Sequence, residues 1–260
     1  MTTSSRTIKL AALADIHCRA GFHGKLAPIF AQAAAQADIL VLCGDLTDFG
    51  KPEEAHVLAK ELASAANRSI VGVLGNHDYE SNHVDEVRAI LRDAGVNLLD
   101  GDVYEAHGVG FAGVKGFAGG FGEAMLRPFG EPSLKAFVHE AIEESLKLEC
   151  ALGSLRTPHR IALTHYAPIE ATVIGERPEI FAYLGTSRLE ETLQRYPVHM
   201  AFHGHAHHGT LEGRTGRGVP VYNVALPLLM RQLHTPFRIF ELPAVEEQAS
   251  ETLMQEHAIG

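Results

Sequence analysis

The stretch Ile39-Leu40-Val41-Leu42-Cys43-Gly44-Asp45 decides the fold, because it joins five consecutive apolar residues to a glycine and a carboxylate. A continuous apolar run of this length is typical of a strand that is covered on both faces of its sheet. Two similar units flank it: the run 8–14 leads into Asp15-Ile16-His17, and the run 70–74 leads into Gly75-Asn76-His77-Asp78. The three units predict three related buried strands, each ending in polar residues.

Helical patterns separate these strands at 26–36 and 53–66, and a third pattern follows at 84–94. The polar ends lie about 30 residues apart, which is the length of one βαβ unit. Crossovers of this kind share one hand, so we expect three parallel neighbouring strands whose polar ends meet at one edge of the sheet. Ligands bind at that edge in open α/β folds.

The second half of the chain has a different pattern. Residues 103–106 and 109–114 predict a hairpin, and residues 131–151 predict a long amphipathic helix. The remaining predictions are buried strands at 160–163 and 199–202, a flexible loop at 116–122, and antiparallel closing strands at 219–226 and 237–242. No linker interrupts this order, so we expect one domain at 1–242 and a polar tail at 243–260.

Composition and cysteine content favour a globular protein of a reducing compartment. Hydrophobic residues make up 46% of the 260 positions, which is enough for one large core without disulfide bonds. The three cysteines, Cys18, Cys43 and Cys150, form no CxxC pair. No apolar run approaches the ~20 residues of a membrane span, and residues 1–6 carry no apolar leader. We therefore expect a cytoplasmic protein with no membrane partner.

The charge balance disfavours one class of partner. The formal net charge is −10 with neutral histidines, which opposes broad binding to the backbone of nucleic acids. A phosphate-bearing substrate is compatible with this charge, since bound divalent metals reverse the local field in an acidic protein.

Residues that bind transition metals follow five of the predicted strands. They are Asp15, His17, Asp45, Asn76, His165, His205 and His207. Two adjacent metals need about seven imidazole, carboxylate or amide groups, one of them shared. The i, i+2 pairs Asp15/His17 and His205/His207 would share one face of an extended chain, and the preceding glycines would permit tight turns. The joint order predicts a binuclear metal site.

Considered alone, each of these residues has a simpler interpretation. A lone aspartate after a strand is more often a helix cap, Asn76 a turn residue, and His165 an interior histidine with satisfied hydrogen bonds. Two neighbouring histidines, His203 and His208, stay open between a role beside the substrate phosphate and a packed or solvent-facing position. We expect Asp78 to orient loop backbone rather than bind metal.

The order Asp-x-His, Gly-Asp-x-x-Asp, Gly-Asn-His-Asp, His and Gly-His-x-His resembles that of the calcineurin-like metallophosphoesterase family. The resemblance extends from Ala14 to His207 and depends on five separate motifs, of which any one alone would be weak. It implies a four-layer α/β/β/α sandwich of two mixed β-sheets flanked by helices.

The resemblance also implies a role for each matching position. Asp15, His17 and His207 would hold a first metal ion, Asn76, His165 and His205 would hold a second, and Asp45 would bridge the two. His77 matches the catalytic histidine that protonates the leaving oxygen, and Asp48 matches a carboxylate that orients it. Manganese, iron or zinc would suit these ligands.

The implied activity is two-metal hydrolysis of a small phosphate ester, and the compact length favours a phosphodiester. Phosphomonoesterase and protein phosphatase activities are the alternatives, although Leu74 and Phe49 stand where the protein phosphatases carry arginines. A metal- or nucleotide-binding module without activity is an alternative of another class. A nuclease is disfavoured, since no basic stripe interleaved with aromatic residues is present.

Overall fold

A computed structural model describes residues 7–244 and contains two β-sheets packed face to face between helices. The first half of the described chain contains β1 (Thr7–Leu13), α1 (Ala27–Gln36), β2 (Ile39–Cys43), α2 (Pro52–Leu62), β3 (Ser69–Val73), α3 (Val84–Asp93) and β4 (Val96–Leu98). The second half contains β5 (Asp102–Ala106), β6 (Val109–Gly113), α4 (Pro132–Ser154), β7 (His159–Leu163), α5 (Phe181–Leu184), α6 (Ser187–Leu193), β8 (Met200–His203), β9 (Glu212–Arg214), β10 (Pro220–Asn223), α7 (Leu226–Leu233) and β11 (Arg238–Pro243).

The first sheet has the strand order β11-β1-β2-β3-β4. Its strands β1, β2 and β3 are parallel neighbours, which confirms the prediction from the three repeated units. The second sheet has the order β5-β6-β7-β8-β10-β9, with β6, β7, β8 and β10 parallel and one antiparallel pair at each edge. The polar ends of the parallel strands therefore lie at one edge of each sheet.

The main core lies between the two sheets. Leu10 and Val41 from the first sheet belong to the same buried cluster as Phe111, Leu163 and Phe202 from the second. Each of these side chains is essentially inaccessible to solvent. The continuous apolar runs of the sequence are explained by this arrangement, because helices cover the opposite face of each sheet.

Two further clusters form the outer contacts of the sandwich. Phe30, Leu58 and Leu91 pack helices α1, α2 and α3 on the first sheet. Leu148 and Leu189 pack helices α4 and α6 on the second. The predicted four-layer α/β/β/α sandwich is confirmed.

The segment after β1 is fixed by a buried carboxylate of α2. Glu61 Oε2 accepts hydrogen bonds from the backbone N–H groups of Leu26 and Ala27, both at 2.8 Å, and Oε1 accepts one from Gly24 at 2.6 Å. The first turn of a helix leaves N–H groups without intrahelical partners. Glu61 therefore supplies to α1 the N-terminal cap that its own sequence lacks.

The prediction of two antiparallel closing strands is partly wrong. Strand β11 is antiparallel to β1 as expected. Strand β10 is antiparallel to β9 but parallel to β8, and it ends at Asn223. Pro227 lies in the first turn of α7, where its fixed φ and missing N–H suit a helix start, so the chain becomes helical at Leu226. The short elements β4, β9, α5 and α6 were not predicted.

Both sheets share one core, and β11 completes the first of them at Pro243. The part of the predicted polar tail at 245–260 lies outside the described residues. Within residues 7–244, no helix has the length and apolar character needed to cross a membrane.

Candidate metal centre

Loops from both sheets converge where their parallel strands end. From the first sheet, Asp15 follows β1, Asp45 follows β2 and Asn76 follows β3. From the second, His165 follows β7, and His205 and His207 follow β8. His207 Nε2 lies 2.9 Å from Asp15 Oδ1, and His165 Nε2 lies 2.9 Å from Asn76 Oδ1. The residues that the sequence predicted as metal ligands are thus brought together in space.

Three groups of side chains have their metal-binding atoms within 4.8 Å of one another. The first is Asp15, His17 and His207, which is the set assigned to one ion by the resemblance. The second is Asp45, His165 and His205, to which Asn76 adds its contact with His165. A third group, His17, Asp45 and His77, joins the other two. Asp45 and His17 each belong to two of the three groups, so the groups adjoin one another.

The backbone at four of these residues is left-handed. The φ angles are 55° at Asp15, 46° at His17, 48° at Asp45 and 69° at His205. Non-glycine residues enter this region at a cost of about 1–3 kcal/mol each, and they concentrate at functional sites. The paired residues therefore do not face the site by the alternation of an extended chain, which is how the sequence explained them. Tight turns stabilised by contacts between the loops direct them inward.

Two glycines before the ligands are required by close approach. A Cβ atom on Gly75 would lie 2.2 Å from both the backbone N and Oδ1 of Asp45, and one on Gly204 would lie 2.4 Å from Asp15 Oδ2. Neither glycine has a positive φ angle. Each leaves space for the side chain of another ligand, and neither is needed to form a turn.

Hydrogen bonds orient the histidine rings. His165 Nδ1 donates to the carbonyl oxygen of Cys43 at 2.9 Å, which leaves Nε2 facing Asn76 and Asp45. His205 Nε2 donates to the carbonyl oxygen of Tyr183 at 3.2 Å, which leaves Nδ1 as its metal-binding nitrogen. Metal-binding histidines generally donate their second nitrogen in this way.

The electrostatics of the centre keep its carboxylates ionised. Burial opposes the charge on Asp45, but His165 outweighs it and holds the pKa of Asp45 well below its usual value. Burial would also lower the pKa of His165, yet Asp45, with Nε2 to Oδ1 at 3.3 Å, together with Asp15 raises it to about 9. The pKa of His205 falls to about 4 because burial and the neighbouring His165 disfavour its cationic form.

The residues present fit a pair of transition-metal ions. Both ring nitrogens of His17 are buried without a hydrogen bond of good geometry among the described residues, although Nδ1 faces the Asp48 carboxylate at 3.3 Å. A buried polar atom that lacks a partner is rare and costly. His17 Nε2 lies 3.8 Å from Asp45 Oδ2, so an ion between them would satisfy both atoms. Mixed imidazole, carboxylate and amide donors suit manganese, iron and zinc.

The family resemblance implied that the Asp48 carboxylate orients His77, but the structure shows a different contact. The carbonyl oxygen of Asp48, and not its carboxylate, accepts the Nδ1–H of His77 at 2.7 Å. The carboxylate lies instead 3.3 Å from His17 Nδ1 and 2.7 Å from Arg19 Nε. His77 is partly exposed, and its ring meets that of His17 edge-on at 4.5 Å between centroids. The side chain of Asp48 therefore supports a predicted metal ligand.

Asp78 and Asn223 hold the loops that carry the ligands. Asp78 accepts hydrogen bonds from the backbone of Leu46, Thr47 and Gly75 and from the Thr47 hydroxyl, which is the backbone role expected for it. Asn223 Nδ2 donates to the carbonyl oxygen of Ala206 at 2.7 Å. Asn223 is fully buried and so supports the loop between His205 and His207 rather than lining a substrate site.

His203 and His208, whose roles the sequence left undecided, lie in different environments. His203 is fully buried, where Nδ1 donates to the carbonyl oxygen of Gly204 and Nε2 lies 2.8 Å from the Thr172 hydroxyl. It is packed behind the ligand loop. His208 is exposed beside Arg231, a residue for which the sequence offered no signal, because α7 was not predicted.

The glycine-rich loop at 116–122 is held by hydrogen bonds to the segment around α5. Gly119 N donates to Ala182 O at 2.7 Å and Gly120 N donates to Gly185 O at 2.8 Å. Beside the loop, a cavity of about 370 Å³ is lined by residues of both segments, including Phe121 and Phe181. These contacts tie the loop to neighbouring backbone.

Comparisons with known proteins agree with this geometry. The model of the calcineurin-like phosphoesterase family matches residues 8–209. A search among curated proteins returned no match to the sequence.

Several solved structures are similar to the chain. Phosphopantetheinyl hydrolase from Mycobacterium tuberculosis has a TM-score of 0.62 at 17% identity, over 91% of this chain and 96% of that chain. The protein TT1561 of Thermus thermophilus has a TM-score of 0.54 at 14% identity, over 92% of this chain and 100% of that chain. Purple acid phosphatase PPD1 from yellow lupin seeds has a TM-score of 0.53 at 13% identity, over 85% of this chain and 44% of that chain. At these identities the likeness shows a shared fold.

Proposed function

The chain belongs to the calcineurin-like phosphoesterase family of metal-dependent hydrolases, and on that basis we propose that it is a two-metal phosphodiesterase of small substrates. The observation that carries this proposal is the set of three adjoining ligand groups, two of which share Asp45. Such an arrangement suits two ions held close together, as in-line displacement at phosphorus requires.

The proposed assignment follows the loops. Asp15, His17 and His207 would hold the first ion, Asn76, His165 and His205 would hold the second, and Asp45 would be shared between them. When bound, the ions neutralise phosphate oxygens and lower the pKa of a bound water towards ~7. Asp15, Asp45 and His165 are buried and exclude bulk water from the inner side of the centre, whereas the other four proposed ligands are partly exposed and would face the phosphate.

His77 is the proposed general acid. The carbonyl oxygen of Asp48 takes its Nδ1–H at 2.7 Å, which turns Nε2 towards Asp45, 4.0 Å from Oδ2. In this orientation Nε2 would face the leaving oxygen of a bound substrate. His77 thus delivers a proton at Nε2 while the ester bond breaks.

Separate arguments favour a phosphodiesterase over each of the alternatives. Within residues 7–244 no additional cap domain covers the centre, and compact relatives of this kind often act on small diesters. A protein phosphatase is disfavoured by Leu74 and Phe49, which stand in place of the arginines of those enzymes. A silent binding module would not need the partly exposed and oriented His77.

Hydrolysis of two chromogenic esters tests the proposal. Protein loaded with Mn²⁺ should hydrolyse bis-p-nitrophenyl phosphate faster than p-nitrophenyl phosphate and should bind two ions per chain. On an aryl phosphodiester whose leaving phenol is weakly acidic, His77→Ala should lower the rate by about 10²–10⁴-fold, the usual contribution of general acid catalysis. It should affect bis-p-nitrophenyl phosphate less, whereas the exposed His83→Ala should change neither rate. A content of one ion or fewer, or a diester rate that is unchanged in His77→Ala, would refute the proposal.

A further inference from the structure

Arg231 lies beside the proposed first metal site and has no part in the mechanism described above. It belongs to the last turn of α7. One terminal nitrogen donates to the carbonyl oxygen of His207 at 2.9 Å, and the other lies 3.4 Å from His208 Nδ1. The guanidinium is therefore fixed against the backbone of a ligand loop.

The charge of Arg231 is not matched by a carboxylate in the described part of the chain. Both groups that it contacts are neutral acceptors, and no acidic oxygen of residues 7–244 lies within 4.0 Å of it. Arg19, on the other side of the first site, pairs instead with Asp48 at 2.7 Å. Arg231 is exposed at the rim of the centre, so its charge is available to a bound anion.

The neighbouring His208 adds a donor. An arginine can only donate, so His208 Nδ1 accepts and the proton of the neutral ring lies on Nε2. Glu176 Oε1 accepts the backbone N–H of His208 at 2.6 Å and fixes the position of this residue. The guanidinium has five N–H groups and uses two in these contacts. The remaining guanidinium donors and the Nε2–H are free to bind an anion, and the planar guanidinium fork suits the oxygens of a phosphate group.

The other half of the centre has no comparable pair among the described residues. The contacts of His205 are with the ring of Tyr166, at 4.5 Å between centroids, and with the carbonyl oxygen of Tyr183. The side chain of Tyr183 is exposed. The exposed cation Arg231 thus lies beside His207, whereas the cation near His205 is the buried Lys115, which lies over the Tyr166 ring at 5.4 Å.

We propose that Arg231 and His208 form a subsite for a second phosphate group of the substrate, separate from the phosphate that is cleaved. This inference rests on the proposed function and specifies its substrate class as phosphoesters whose alcohol portion carries another phosphate. A fixed guanidinium loses little conformational freedom on binding, which favours this use.

Calorimetric titration of the Mn²⁺-loaded full chain tests the subsite without turnover. All proteins carry His77→Ala so that no ligand is consumed. The probes are adenosine 3′,5′-bisphosphate against adenosine 5′-phosphate and fructose 1,6-bisphosphate against fructose 6-phosphate, which differ in the spacing of the two phosphates. At least one bisphosphate should bind about tenfold or more tightly than its monophosphate, as expected for charge-assisted hydrogen bonds.

Matched variants attribute that preference to the subsite. Arg231→Met should reduce the ratio of the two dissociation constants to about one, and Arg231→Lys should retain part of it because the charge remains without the planar fork. Arg217→Met is the control, because it removes the same charge at the turn before β10, whereas Arg231 lies in α7, which follows that strand. This variant should keep the full ratio of monophosphate to bisphosphate dissociation constants.

Three outcomes would overturn the subsite. The first is equal binding of the bisphosphate and the monophosphate in both pairs. The second is a preference for the bisphosphate that persists undiminished in Arg231→Met and Arg231→Lys. The third is a preference that Arg217→Met abolishes as completely as Arg231→Met does. Failure of the phosphodiesterase proposal is distinguishable from these. In that case protein with intact His77 would not hydrolyse bis-p-nitrophenyl phosphate. The dissociation constants would still show whether Arg231 contributes to binding of the second phosphate.

Discussion

Replacement of Asp48 by alanine separates two interpretations of this residue. The family pattern assigns its carboxylate to His77, whereas the structure places the carboxylate 3.3 Å from His17 Nδ1 and gives His77 the backbone carbonyl oxygen instead. Asp48→Ala removes the carboxylate and keeps the carbonyl. The substitution should therefore weaken the first metal site and leave the orientation of His77 intact.

The size of the effect follows from the role of a group that orients a metal ligand. Loss of such a group generally lowers metal affinity by about 10–100-fold, equivalent to about 1.4–2.7 kcal/mol. The buried Asp48 contacts one of the four proposed ligands of the first ion. The affinity for the second ion, whose ligands Asp48 does not contact, should change little.

The assay combines a Mn²⁺ titration with a series of aryl phosphodiesters of increasing leaving-group pKa. For Asp48→Ala, the activity curve should shift to higher Mn²⁺ concentration, and at saturation its dependence on the leaving group should match that of the unmodified protein. Asp85→Asn, an exposed carboxylate of α3, is the control. If Asp48→Ala instead binds Mn²⁺ normally and loses activity mainly on poor leaving groups, as His77→Ala should, the carboxylate acts through His77 and the present reasoning is refuted.

Three other features of the centre and its supports make testable predictions. Gly75→Ala should abolish metal binding and activity, since the added Cβ would overlap Asp45 at 2.2 Å, whereas Gly21→Ala, with open space around it, should retain both. Asp45 and Asp15 outweigh burial and raise the pKa of His165 to about 9, so this histidine must lose a proton before the second ion binds. The metal affinity measured by calorimetry should therefore rise between pH 6.5 and 8.5. A constant affinity over this range would contradict the assignment of His165 as a ligand. Glu61→Gln should lower the free energy of unfolding by about 1.5–3 kcal/mol in urea titrations because it disrupts three hydrogen bonds to a charged acceptor, and a loss no larger than that of the exposed Glu53→Gln would exclude the capping role.

Much of the fold could be predicted because its signals are local. The five apolar residues from Ile39 to Cys43 indicate a buried strand in the sequence and form one in the structure. The repeat of that unit predicted parallel neighbours, which β1, β2 and β3 are. The parallel pairing of β10 with β8 was missed because the sequence contains no local signal for which strand becomes its second neighbour. Pro227, which lies in the first turn of α7, was the unused signal.

The residues that form the candidate site were easier to predict from the sequence than the contacts that orient their side chains. The motifs identified which residue types would meet, because carboxylates and imidazoles are visible in a sequence. Backbone contacts are not visible. The carbonyl oxygens of Cys43, Asp48 and Tyr183 orient three histidines, and any residue type could supply them. The left-handed backbone at Asp15 and His17 likewise depends on contacts with the loop after β2, such as Asp15 N to Gly44 O at 3.0 Å.

The convergence of loops from both sheets has a consequence for the stability of the whole molecule. Besides the bridging Asp45, which lies between His17 and His165, the proposed ligands are drawn from both halves of the sandwich. Neither half alone offers a complete coordination sphere for either ion. Ions bound as proposed would therefore act as non-covalent crosslinks that oppose separation of the sheets. By mass action, free metal at about 100 times its dissociation constant would add about 2.7 kcal/mol to the folded state, so cellular metal supply would regulate the lifetime of this protein as well as its turnover.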